Sequence, residues 1–184
     1  AVGQLADLLN DAQRHPSLDE VLDVARRKSG NYTVRRPLEL GASLAGCPDR
    51  VLSVLGRYGE LVGEAYQLRD DLLGVFGHPD VTGKPSGGDL AERKATSVVV
   101  LAQQMATPVQ RARLAALVEQ QRLSEVDVEE WRRLIETTGA RAAAEHMITT
   151  RVRSACAELA DGGLDGLVTA ALCQAARCCA DRVC

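Results

Sequence analysis

The most concentrated chemistry in the chain lies between residues 63 and 96, GEAYQLRDDLLGVFGHPDVTGKPSGGDLAERKAT. In helical phase Gln67, Asp70, Asp71 and Gly74 fall at i, i+3, i+4 and i+7 and share one face near a helix C-terminus. That terminus carries negative partial charge, so two adjacent carboxylates gain nothing there and repel each other unless a cation neutralises them. Mg²⁺ suits the pair, because it takes one or two carboxylates and completes its shell with water and phosphate oxygens. A solvated acidic step with Arg69 as its local partner is the other reading of the same spacing. Downstream, Lys84, Asp89 and Lys94 follow in and after a Gly-rich stretch. It is not a nucleotide P-loop: position 78 is His where such a loop needs Gly, and Lys84 is followed by Pro85. Carboxylates beside lysines are the composition expected around a Mg²⁺-bound diphosphate, although each lysine taken singly also reads as a solvated surface charge.

Such residues need a helix and a loop held by a core. Of 184 residues, 46% are hydrophobic and 26% charged, which excludes a disordered tail or a collagen-like fibre. With aromatics at only 3%, the core must be built of Leu, Val and Ala, a composition that favours helices. Lys plus Arg number 22 and Asp plus Glu 25, so no overall positive field exists for nucleic acid. Apolar runs such as Val98 to Ala102 are far shorter than the roughly 20 residues of a membrane span. No basic and apolar leader opens the chain, and Cys184 stands at the wrong place for prenylation, so the expected compartment is the cytoplasm. The six cysteines lack zinc spacing and read as small apolar fillers.

Along the chain, Leu5, Leu8 and Leu9 place Ala1 already inside a helix, which suggests a piece of something longer. Ser17 and Glu20 form a capping box for a helix reaching about Ser29, and Gly30-Asn31 signals a turn before a helix from Thr33 to Ala45. Pro48 sits at the start of a long helix ending near Phe76, in which Gly56, Gly59 and Gly63 imply close packing by another helix. Gly77 to Gly88 reads as a loop, and Asp89 with Glu92 as a capping box for a helix to Met105. Helices from Thr107-Pro108 to about Arg122, Val126 to Thr137, Ala140 to Leu159 and Leu164 to Val183 complete an all-α reading of residues 1–184 as one helical unit.

The Gly63 to Thr96 stretch resembles the second aspartate-rich region of the trans-isoprenyl diphosphate synthases, or polyprenyl synthetases, of the geranylgeranyl/farnesyl diphosphate synthase type. Gln67, Asp70-Asp71-Leu72-Leu73-Gly74, Thr82-Gly83-Lys84-Pro85, Gly88-Asp89-Leu90 and Lys94 with Thr96 match that family's helix, loop and Gly-Lys-x-Thr element. Upstream, Gly3-Gln4-Leu5 with Asp7, and Lys28-Ser29 followed by Tyr32-Thr33, Arg36-Pro37-Leu38 and Leu40-Gly41-Ala42, resemble its preceding helices. The resemblance implies the C-terminal portion of an isoprenoid synthase-type helical bundle that works as a homodimer or pairs with a missing N-terminal half. It implies Mg²⁺-dependent condensation of an allylic diphosphate with isopentenyl diphosphate. Position by position, it assigns Asp70 to Mg²⁺ with Asp71 in the same acidic patch. Lys28, Lys84 and Lys94 fall to the diphosphate, while Ser29 and Gln67 line the site. Departures are Gly74, Gly88, Arg93, Ala95 and His78, where many relatives carry Asp, Asp, Gly, Arg and Asp, and the family's first aspartate-rich motif is absent from these residues. The leading reading is therefore a prenyltransferase represented here by its second motif. A non-catalytic helical partner of an active synthase is the rival, and a class I terpene cyclase is disfavoured because its Asn/Asp-x-x-Ser/Thr-x-x-x-Glu triad is not found.

Overall fold

Helix caps set most of the boundaries in the computed structural model, which describes residues 16–78 and 87–181. The helix expected at Ala1 to Asn10, most of the loop expected around Lys84, and Cys184 lie outside the described residues. Among the described residues every regular element is helical, as the composition favoured. The elements are α1 (Leu18–Ala25), a π-helical segment (Arg26–Arg35), α2 (Arg36–Leu44), α3 (Asp49–Phe76), α4 (Gly88–Ala91), α5 (Ser97–Met105), α6 (Pro108–Glu119), α7 (Glu125–Thr137), α8 (Ala140–Asp161) and α9 (Gly166–Ala180). Ser17 and Glu20 form the expected box before α1, the Glu20 amide donating to Ser17 Oγ at 3.2 Å and the Ser17 amide to Glu20 Oε2 at 2.7 Å. Thr107 with Gln110 and Ser124 with Asp127 do the same before α6 and α7. The Asp165 carboxylate caps α9.

Two compact units divide these helices, one containing residues 22–67 and 147–181, the other residues 16–21, 68–78 and 87–146. In the first, Ala42 of α2, Val54, Leu55, Tyr58 and Val62 of α3, Ala155 and Leu159 of α8 and Ala176 of α9 form one buried cluster. Each large side chain buried there contributes about 1.5–3 kcal/mol. Cys47, Cys173 and Cys179 pack against it as half-buried fillers. Tyr58 is 2% exposed, and its hydroxyl donates to the Leu172 carbonyl at 2.8 Å, so the ring is buried without stranding a polar atom.

The turn expected at Gly30-Asn31 is not there. The chain instead continues helically through residues 26–35 with a widened turn, the Arg36 amide donating to the Asn31 carbonyl five residues back. Local turn propensity loses to tertiary contact. A Cβ at Gly30 would meet the Glu60 backbone at 3.6 Å, while one at Gly59 would lie 2.6 Å from Arg35 Cα. Gly59 is thus the close-packing glycine of α3, and the π segment is the helix it admits. Arg26 and Arg35, at the ends of that segment, pair with Glu64 and Glu60 of α3.

In the second unit α4, α5 and α6 each pack against α7. Leu68, Leu72 and Val75 of α3, Leu90 of α4, Val98 to Ala102 of α5, Leu114 and Leu117 of α6, and Trp131 and Ile135 of α7 are buried. The helix expected from Asp89 to Met105 is broken in two. It stops after Ala91, because Arg93 takes a left-handed backbone at φ 56°. It restarts at Ser97, capped by Thr96 Oγ1, which accepts from the Val99 amide. Asp89 is therefore not the cap of a long helix, and its carboxylate is free of that duty.

Candidate functional site

The last turns of α3 carry Gln67, Asp70, Asp71 and Gly74 in the expected helical phase. Neighbouring carboxylates on a helix point about 100° apart, and their surroundings here differ accordingly. Asp70 is exposed. Asp71 is 6% exposed, and its Oδ2 accepts from the Ser97 amide at 2.9 Å and from Ser97 Oγ at 2.6 Å. That carboxylate sits at the N-terminus of α5, where it meets an amide donor and the positive end of the helix dipole. The negative end of α3 is met by cations as well. Arg132 Nε donates to the Val75 carbonyl at 3.1 Å, and the Arg141 guanidinium lies 4.7 Å from the Phe76 ring centroid. Arg69, the residue nearest the acidic step in sequence, is buried and bonds in a two-pronged fashion to Glu145, at 2.7 and 2.6 Å.

Gly74 is small for a spatial reason. A Cβ on it would fall 1.8 Å from Asp89 Oδ2, so the Asp89 carboxylate rests directly on the α3 backbone one turn beyond Asp70. Asp89 Oδ1 accepts from Lys94 Nζ at 2.8 Å, and Glu92 Oε2 takes the same ammonium at 2.7 Å. Asp89 first and Glu92 second hold the Lys94 ammonium well above the ordinary lysine range. The ammonium remains charged through neutral pH, and at 42% side-chain exposure it can still reach an anion.

Of the residues singled out in the sequence, Asp70, Asp71 and Lys94 therefore belong to one unit; Lys94 opens the segment that leads into α5, and Asp71 of α3 accepts from Ser97 where that segment ends. Gln67 is half-buried on α3, and Lys28 is half-buried on the π segment, which also carries Ser29. Lys84 lies outside the described residues. One contributor escapes the local reading: Ser97, by its ordinary type. Asp89 was read both beside the lysines and as a helix cap, and the structure keeps the first role. Gly74 signals its place, since a missing side chain admits a carboxylate from elsewhere. Among the described residues no three His, Cys, Asp or Glu side chains converge as a closed cation cage. Mg²⁺ needs none when phosphate oxygens and water complete its shell. An exposed Asp70 and an Asp89 one turn away fit that need.

A family model described as polyprenyl synthetase matches residues 1–135. A geranylgeranyl diphosphate synthase of Mycobacterium tuberculosis is 36% identical over 161 residues, 87% of this chain and 45% of that protein. A (2E,6E)-farnesyl diphosphate synthase of the same species is 44% identical over 94 residues, 51% of this chain and 26% of that one. Among solved structures, a geranylgeranyl pyrophosphate synthase of Corynebacterium glutamicum, complexed with isoprenyl diphosphate and magnesium, superposes with a TM-score of 0.90 at 38% identity over 98% of this chain and 51% of that one. A polyprenyl synthetase of Streptomyces coelicolor gives 0.89 at 27% identity over 96% and 54%. The chain spans about half the length or less of these relatives. With a matching model over residues 1–135 and the motifs of α3 to α5 in place, the chain belongs to the polyprenyl synthetase family.

Proposed function

We propose that this chain serves a Mg²⁺-dependent prenyl diphosphate synthase that condenses an allylic diphosphate with isopentenyl diphosphate, and that it supplies the second of that enzyme's two acidic helices. The observation that carries the reading is the grouping of Asp70, the Asp89 carboxylate over Gly74, and the Lys94 ammonium on Asp89. It sets acidic and basic groups side by side, as a metal-bound diphosphate requires. Asp70, with Asp71 in the same acidic patch and Asp89 beside them, would hold the cation. When bound, Mg²⁺ supplies Lewis-acid stabilisation of the departing diphosphate. As the allylic carbon–oxygen bond breaks, its electron pair moves onto the diphosphate. Lys94 and, on its match to the family motif, Lys84 neutralise the charge that develops there. The isopentenyl double bond then attacks the allylic carbon, and loss of a proton restores neutrality. Lys28, Ser29 and Gln67 are proposed for substrate binding on their match to the family motifs alone.

Calorimetric titration of the purified chain with geranyl, farnesyl and isopentenyl diphosphates, with and without Mg²⁺, tests this alongside its oligomeric mass. Binding of the allylic diphosphates that requires Mg²⁺ is the expected result. A stable dimer that binds none of them overturns it in favour of a non-catalytic partner of an active synthase. In the active synthase that this chain serves, Asp70→Ala is expected to lower turnover by several powers of ten.

A further inference from the structure

Arg93 occupies a backbone conformation meant for glycine. Its φ of 56° lies in the left-handed region, which for a side chain with a Cβ is unfavourable by about 1–2 kcal/mol. The hydrogen bonds around it are those of a helix that ends by turning back on itself. The Arg93 amide donates to the Leu90 carbonyl and the Lys94 amide to the Asp89 carbonyl, both at 2.9 Å. In this motif the residue after the left-handed one is brought back over the helix's last turn, and here that residue is Lys94. Its ammonium lands on the Asp89 side chain. A glycine would form the turn without strain, but it would be free to leave it. Arg93 has a second hold, since its guanidinium donates to the carbonyl of Gln120, the residue that ends α6. A cation on the last carbonyls of a helix is favourable in itself.

We propose that Arg93 is a positioning residue for Lys94: its guanidinium, anchored on the Gln120 carbonyl, locks the left-handed turn that folds Lys94 onto Asp89. The inference rests on the reading of Lys94 as a diphosphate contact, and it adds a residue that departs from the family's Gly-Lys-x-Thr pattern. The anchored turn keeps the ammonium preset beside the carboxylates instead of sampling solvent. Diphosphate then binds without first having to order that lysine.

The test compares the purified chain with Arg93→Ala, which keeps the strain and loses the anchor, and Arg93→Gly, which loses both. The first readout needs no ligand. It is the rate at which an N-hydroxysuccinimide ester of acetate acylates Lys94, followed by peptide mass spectrometry at pH 8. The Asp89 and Glu92 carboxylates both bond the Lys94 ammonium, at 2.8 and 2.7 Å, so release from them uncovers its nitrogen to the ester. Acylation of Lys94 is expected to rise at least threefold in Arg93→Ala and less in Arg93→Gly, with Lys28 as internal control. The second readout is calorimetric affinity for magnesium pyrophosphate, expected to weaken at least threefold in Arg93→Ala while the thermal midpoint of Arg93→Gly stays at or above that of the parent chain. Equal Lys94 acylation in all three proteins overturns the positioning role, whatever the affinities. Pyrophosphate bound by none of them, the parent included, overturns the diphosphate reading, and the order of acylation rates then decides the role of Arg93. Should Arg93→Ala fail to fold, Arg93→Gly against the parent gives the same decision.

Discussion

At the scale of single residues, two adjacent aspartates divide their labour. Asp71 turns inward and binds the amide and hydroxyl of Ser97, while Asp70 faces solvent. Asp71→Ala strands both donors, and hydrogen bonds to a charged group contribute about 1.5–3 kcal/mol each. The expected loss in urea denaturation is about 3 kcal/mol. At the exposed Asp70, Asp70→Ala should cost less stability than Asp71→Ala does, and yet the substitution should abolish Mg²⁺-dependent binding of diphosphate. Equal stability losses in the two variants would contradict the division. The helical phase of this pair was legible in the sequence from spacing alone. Their different surroundings were not, because Ser97 lies 26 residues further on and reaches Asp71 only through the fold.

Among the elements, boundaries written in local chemistry were readable. Ser17 and Glu20 start α1, Thr107-Pro108 starts α6, and the Leu and Val pattern of α3 ends at Phe76, where the sequence placed it. Boundaries decided by distant partners were not. Gly30-Asn31 has turn chemistry, but α3 approaches it so closely that the chain stays helical, and Asp89 with Glu92 imitates a capping box while serving Lys94. The close approach is testable at Gly59. A methyl group there would stand 2.6 Å from Arg35 Cα and 2.9 Å from Arg35 N, backbone atoms that cannot step aside alone. Gly59→Ala is expected to lower stability by about 1–3 kcal/mol, as overpacking does. Alanine is otherwise the better helix former by about 1 kcal/mol, so a rise in the circular dichroism melting midpoint would refute the account.

For the molecule as a whole, ligand binding and folding are linked. A ligand that binds the native chain and not the unfolded one stabilises it by about 2.7 kcal/mol at a hundred times its dissociation constant. Magnesium pyrophosphate at that excess should raise the melting midpoint by several degrees, and neither Mg²⁺ nor pyrophosphate alone should match it; an unchanged midpoint with both present would count against a diphosphate site in this chain. The family was legible in motifs running from residue 3 to about 102, within the 1–135 that the family model matches, because motifs and helical periodicity are local properties. The widened helix from Arg26 to Arg35 has one more consequence, which concerns insertions and deletions. Its two end arginines are tied to Glu64 and Glu60 on a single neighbouring helix. Removing one residue between them would rotate everything on one side by about 100° and break one tie to keep the other. Substitutions within that segment can be absorbed one at a time, but its length is inherited as a block.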